Sequence, residues 1–149
     1  MEREIREKQI ELLERKCRER GVPLTVQRRT VFEAVVDHDG HPTADLIYDL
    51  LADRLPGLSR TTVYRVLDTF VQMKLVKRIC HHSSAARYDA LTDRHHHLVC
   101  SQCDTIIDIG DDSTKELAMP DVSGTGFEID DYFIHFHGVC AACRAKPSA

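Results

Sequence analysis

Arg94-His95-His96-His97-Leu98-Val99-Cys100-Ser101-Gln102-Cys103 runs three histidines into a Cys-x-x-Cys pair, and the pair returns later as Cys140-Ala141-Ala142-Cys143. Two such knuckles, Cys100 with Cys103 and Cys140 with Cys143, supply the four soft, deprotonated ligands of a closed tetrahedral zinc site. Read as a strand, His95–Cys100 alternates its side chains between two faces. His95 and His97 then face one way and His96 the other. The stretch can therefore serve two metals, one through sulfur and one through alternate imidazoles.

Working outward, the 149 residues suit one ordinary domain or two small ones sharing a linker. A hydrophobic share of 42% and a charged share of 30% read as a soluble chain able to form a core. No apolar run approaches the roughly 20 residues that cross a membrane, so no membrane partner is expected. Met1-Glu2-Arg3-Glu4 is charged and leads into a helical pattern, unlike a secretory leader. A reducing cytoplasm is the expected compartment, and there paired Cys-x-x-Cys motifs favour zinc over a disulfide or a redox pair.

The net charge of −4 argues weakly against nucleic acid, but its distribution matters more. Residues 1–93 carry 16 basic against 15 acidic side chains, whereas residues 94–149 carry 4 against 9. A basic face is thus available on the first part of an acidic protein.

Residues 1–90 read as a DNA-binding domain. Ile10, Leu13 and Cys17 recur at helical spacing until Gly21 and Pro23. Val31, Phe32, Val35 and Val36 line a second helix that ends near Asp39-Gly40. A third runs from the cap Thr43 through Ile47, Leu50 and Leu51 to Pro56-Gly57. The fourth starts at Ser59 and turns Val63, Leu67 and Phe70 inward. Val76–Cys80 and Arg87–Asp89 then read as two short strands. That order of elements describes a winged helix-turn-helix.

With Val63, Leu67 and Phe70 buried, the fourth helix exposes Arg60, Thr61, Thr62, Tyr64 and Arg65. Arginine reads guanine edges in a major groove, and Thr and Tyr meet thymine methyls or phosphates. Gln27, Arg28 and Arg29 at the start of the second helix, with Lys77, Arg78 and Arg87 near the wing, are phosphate candidates. The competing reading is a set of solvated charges on ordinary helices.

Residues 91–94 read as a hinge and 95–149 as a second, smaller domain. Ile106–Ile109 is expected as a strand broken by Gly110, Asp112–Leu117 as a brief helix, and Asp121–Gly126 as a loop. Phe127–Ile129 and Tyr132–His137 read as strands. The second puts Tyr132, Ile134 and Phe136 on one face and Phe133, His135 and His137 on the other. The class is α+β, with zinc supplementing a small core. His135 and His137 read as packed side chains rather than ligands, His81 and His82 as wing-tip residues, and Cys17 and Cys80 as buried thiols. His38 reads as a helix-end residue, and Lys146–Ala149 as a tail.

Taken in order, several motifs carry a resemblance. They are Thr25-Val26-Gln27-Arg28-Arg29, His41-Pro42-Thr43-Ala44-Asp45, Thr61-Thr62-Val63-Tyr64-Arg65, Arg87-Tyr88-Asp89, the His95–Cys103 run and Gly138–Cys143. The sequence resembles the ferric uptake regulator (Fur) family of bacterial metal-dependent repressors over almost its whole length. The resemblance implies a winged helix that binds double-stranded promoter DNA, then an α/β dimerisation domain with a structural zinc on Cys100, Cys103, Cys140 and Cys143, working as a homodimer. It also implies a regulatory metal held by His41, Asp89, His95, His97 and Asp108. Such a mixture of imidazoles and carboxylates suits Fe(II) or Mn(II).

Two departures refine the expectation. Iron-sensing members often carry Glu where this chain has Asp108, and peroxide-sensing members carry Asp. At a further metal site found in many members, Lys115 and Tyr132 replace ligands and only His96 remains. Both departures resemble the peroxide-responsive (PerR) subgroup, in which Fe(II) and peroxide oxidise a histidine ligand, here His41 or His95. The alternatives are an iron- or manganese-responsive repressor of metal uptake, a non-haem iron enzyme using His95, His97 and Asp108, and a zinc-stapled interaction module.

Overall fold

The computed structural model describes residues 3–79, 85–91 and 93–146. The chain divides into two compact units, Met1–Thr92 and Asp93–Ala149.

The first unit is built on four helices: α1 (Arg3–Glu19), α2 (Val26–Asp37), α3 (Ala44–Leu51) and α4 (Arg60–Gln72). Three of them begin at hydroxyl caps. Thr25 accepts the N–H of Arg28, Thr43 that of Leu46 and Ser59 that of Thr62, which satisfies donors that have no partner inside a helix. The turn after α1 passes through Gly21, whose φ of +62° is a left-handed conformation that glycine adopts without steric cost. His38 caps α2 at its C-terminal end.

The apolar stripes read from the sequence meet in one core. Leu13, Val31, Phe32, Ile47, Val63, Leu67 and Phe70 are all fully buried in it. Burying side chains of that size contributes about 1.5–3 kcal/mol each. Phe32 and Phe70 pack edge to face, centroids 5.4 Å apart. Cys17 is buried in the same core, and burial pushes its thiol pKa up, the behaviour of an unreactive cysteine.

α3 is shorter than the pattern suggests. It ends at Leu51, whose carbonyl accepts the N–H of both Arg54 and Leu55, tightening the chain into turns. Pro56 bars the residue before it from the helical region, so the apolar pattern overran the helix. Leu50, beyond the core face, is 49% exposed.

Strands β1 (Lys77–Ile79) and β2 (Arg87–Asp89) pair antiparallel, with Arg78 opposite Tyr88. β1 is shorter than the expected Val76–Cys80. Cys80, His81 and His82 lie outside the described residues. Tyr88 is 1% exposed and closes the core against the helices.

The second unit holds a three-stranded sheet in the order β4-β3-β5, from β3 (His95–Cys100), β4 (Ile106–Gly110) and β5 (His135–Gly138). β3 runs antiparallel to β4, with His97 opposite Asp108, and parallel to β5, with His97 opposite His135. Gly110 ends β4 rather than breaking it. The expected Asp112–Leu117 helix is instead a single 3-10 turn, Asp111–Thr114. A four-residue helix, α5 (Ala141–Arg144), carries Cys143.

The expected strand over Phe127–Ile129 does not form, and the second strand begins at His135 instead of Tyr132. Ile134 gives its N–H to the side chain of His96, 38 residues earlier, at 3.3 Å, instead of to a backbone carbonyl. Regular pairing with β3 starts at the next residue, His135.

Candidate metal centre

Two knuckles converge in the second unit. Cys100 ends β3, the turn Ser101–Cys103, closed by the Asp104 N–H on Cys100 O at 3.0 Å, brings Cys103 back, and Cys140 and Cys143 flank the start of α5. The Sγ atoms of all four lie within 4.8 Å of one another, and Cys103 Sγ is 3.7 Å from Cys140 Sγ. A tetrahedral ion with Zn–S bonds of about 2.3 Å needs sulfur–sulfur edges of about 3.8 Å. The four are free thiols, so no disulfide competes for them.

Electrostatics suits the same ion. The Cys140 N–H, 3.4 Å from Cys100 Sγ, leads a set of backbone donors that lower the Cys100 pKa to about 6. Thr105, with its hydroxyl 3.1 Å from the sulfur, lowers that of Cys103. Cys143 moves the other way, to about 12, through its contacts with the sulfurs of Cys103 and Cys140. Four adjacent sulfurs cannot all ionise unaided, whereas a dication lets every one ligate as thiolate.

On β3 the alternation expected of a strand is realised. His95 Nε2 lies 3.1 Å from His97 Nε2, and Asp108 Oδ1 on β4 is 3.8 Å and 3.5 Å from them respectively. Neighbouring donors around an octahedral ion at about 2.1 Å sit about 3 Å apart, so the two imidazoles fit a shared divalent ion. His95 Nδ1 is 2.9 Å from the Asp93 carbonyl. With the proton on Nδ1, Nε2 is left as the ligating atom. His135 packs its ring against His97, with centroids 5.1 Å apart.

The first unit holds a smaller pair. His41 and Asp89 are both buried, with His41 Nε2 3.9 Å from Asp89 Oδ2. The loop before α3 is tied to β2, since Tyr88 N–H bonds to Pro42 O at 2.9 Å and Arg87 donates to His41 O at 3.0 Å. Asp89 Oδ1 accepts the Leu91 N–H at 2.7 Å, leaving the other oxygen towards His41.

The residues of the further site have other occupations. His96 is fully buried beside Asp111, Tyr132 stacks on its ring, and Lys115 pairs with Asp112 on the surface. His137 lies on β5 opposite Val99.

Along the face expected to meet DNA, the arginines divide into two sets. Arg60 is held by Asp45 at 2.6 Å and Asp49 at 3.0 Å and lies over the Tyr48 ring. Arg29 bridges Glu14 and Glu33, and Arg78 pairs with Asp68. By contrast, Arg65 and Lys77 make no ion pair among the described residues. Arg65, Arg28, Gln27, Thr25, Thr62 and Thr69 line a groove of about 280 Å³ between α2 and α4. Thr61 and Tyr64 are exposed beside it. Except for Glu33, one turn along α2 from Arg29, the carboxylates that engage Arg60, Arg29 and Arg78 lie on other elements, which sequence periodicity does not reveal. Sequence reading also missed Asp111 and Thr105, because neither belongs to a ligand motif.

The model of the ferric uptake regulator family matches residues 19–144. The chain is 36% identical to the peroxide operon regulator of Bacillus subtilis strain 168 over 132 residues, 87% of this chain and 89% of that protein. It is 32% identical to the peroxide-responsive repressor PerR of Staphylococcus aureus strain USA300, covering 87% of each. A solved zinc uptake regulator complexed with zinc and DNA has a TM-score of 0.67 at 26% identity, covering 93% of this chain and 95% of that one. The Helicobacter pylori ferric uptake regulator Fur shares the fold, with a TM-score of 0.76 at 20% identity over 96% of both chains. The chain belongs to the ferric uptake regulator family.

Proposed function

We propose that the chain is a metal-dependent transcriptional repressor, working as a homodimer on promoter DNA in the cytoplasm, and that its signal is peroxide. Family membership makes it a regulator and not an enzyme. Among the described residues no helix is long and apolar enough to cross a membrane. Cys100, Cys103, Cys140 and Cys143 hold zinc as a structural ion, and the spacing of their sulfurs supports that assignment.

The regulatory ion, Fe(II) or Mn(II), takes His95, His97 and Asp108 from the second unit and His41 and Asp89 from the first. The donor set supports it: imidazoles with carboxylates are borderline to hard, distinct from the sulfur cage. An ion shared by both units stabilises one arrangement of the reading helices, which links metal to DNA affinity. Residues 1–90 supply the DNA-reading part and residues 95–149 the dimerising part. Arg65, Tyr64, Thr61 and Thr62 face the bases, and Gln27, Arg28 and Lys77 the phosphates.

The observation that carries the peroxide reading is Asp108 beside His97, in a chain 36% identical to a peroxide operon regulator. Bound Fe(II) supplies the reduction of peroxide. His41 and His95, as ligands, are the side chains within reach of a short-lived oxidant. The test is a gel shift on promoter DNA with Mn(II) or Fe(II), before and after peroxide. Release of the Fe(II) form alone is expected. Retention of both forms after peroxide makes the protein an iron- or manganese-responsive repressor instead.

A further inference from the structure

The segment before β5 is fastened to β3 largely by side chains. Ile134 donates its N–H to His96 Nδ1 at 3.3 Å, while its carbonyl accepts the His97 N–H at 3.0 Å. The imidazole of His96 thus stands where a backbone acceptor would be. Because Nδ1 accepts, Nε2 bears the proton. It faces Asp111 Oδ1 at 3.1 Å.

On the same side of the strand, the Tyr132 ring stacks on His96 at 5.7 Å and 28°. The guanidinium of Arg94 lies 4.7 Å from the centre of the Tyr132 ring and bonds to Asp131 at 3.3 Å. A guanidinium over a tyrosine is held by the ring quadrupole as well as by its carboxylate partner. Arg94 and His96 alternate with His95 and His97, so one face of this short stretch is gripped while the other presents Nε2 atoms 3.1 Å apart.

We propose that Arg94, His96 and Tyr132 form a clamp that positions the ligand pair His95 and His97 and thereby sets the affinity for the regulatory ion. A strand end splays easily, and splayed imidazoles must be reordered on binding. Fixing the alternate residues removes that cost before the ion arrives. The inference rests on the reading that His95 and His97 hold a divalent ion.

The experiment compares Tyr132→Leu, Tyr132→Phe, Arg94→Gln and His97→Ala in the full, zinc-loaded chain. Mn(II) affinity is read from the free-ion EPR signal, with zinc content and thermal midpoint measured alongside. In the protein holding zinc alone, the His96 Nε2–H resonance reports the clamp without the regulatory ion. Tyr132→Leu is expected to weaken Mn(II) by about tenfold, the low end for groups that orient metal ligands. Arg94→Gln is expected to weaken it in the same direction, and Tyr132→Phe to retain the parental affinity. Zinc content and thermal midpoint stay at the parental level, and the His96 resonance broadens in Tyr132→Leu and Arg94→Gln but not in Tyr132→Phe. Parental Mn(II) affinity in Tyr132→Leu, with His97→Ala defective, overturns the clamp and leaves the metal site standing. Parental affinity in His97→Ala overturns the metal site and the clamp with it. Loss of zinc or of thermal stability in Tyr132→Leu in step with Mn(II) makes the stack a packing element and also overturns the proposal.

Discussion

The guanidinium of Arg60 lies 2.6 Å from Asp45 Oδ1, at the point where the start of α4 meets the first turn of α3. Asp49 takes a second nitrogen of the same group at 3.0 Å, and Tyr48 lies beneath it. We propose that Arg60 braces the helix pair and that reading of bases falls to Arg65. Arg65→Ala is expected to weaken specific DNA binding by about 1–3 kcal/mol, the range for a bidentate base contact. Arg60→Ala is expected to leave the salt dependence of binding unchanged, since no phosphate contact is lost. Titrations at several salt concentrations decide it, and a shallower salt slope for Arg60→Ala would return it to the DNA contacts.

Lys77, without an ion pair among the described residues, is free to meet a phosphate. Lys77→Ala is expected to weaken specific and non-specific DNA alike and to lower the salt slope by about one. A loss confined to the specific site counts against the phosphate role.

The zinc cage carries part of the folding energy of the second unit, whose sheet has few buried apolar residues beyond Val99 and Ile106. Cys100→Ser and Cys143→Ser are each expected to lose zinc and destabilise the dimer, as is prolonged chelation of the parent. Elemental analysis with sedimentation measures both. Full zinc and an unchanged dimer in either variant argue against a four-cysteine ion.

Phe70 is fully buried against Phe32. Phe70→Ala is expected to destabilise the first unit by about 3–5 kcal/mol through lost burial and the cavity left behind. Denaturant unfolding checks the value, and a loss below about 1 kcal/mol contradicts the packing described.

After mild peroxide, the iron-loaded protein is expected to gain one oxygen on His41 or His95 and to leave DNA. The Mn(II) form is expected to stay unmodified and bound, and Asp108→Glu to respond to iron while tolerating peroxide. Mass spectrometry of peptides locates the oxygen. Unmodified histidines in an Fe(II) protein that keeps its DNA exclude peroxide as the signal.

Much of this protein was legible in its sequence because its signals are local. Thr25, Thr43 and Ser59 announce helix starts within three residues of the donors they satisfy. A period of two along His95–Cys100 separates His96 from its neighbours, and the cysteine spacing names an ion before any fold is known. What those signals do not contain is the partner from another element. Sequence periodicity exposes Arg60 and Arg29 on helices and Arg78 on a strand, but only tertiary structure brings Asp45, Glu14 and Asp68 to them. β propensity favours Tyr132–Ile134 as strand, yet a buried imidazole 38 residues earlier in the chain takes the Ile134 N–H and delays the ladder to His135. Local chemistry determined the elements and the donor sets. Long-range competition for hydrogen bonds and charges decided where strands begin and which arginines remain available.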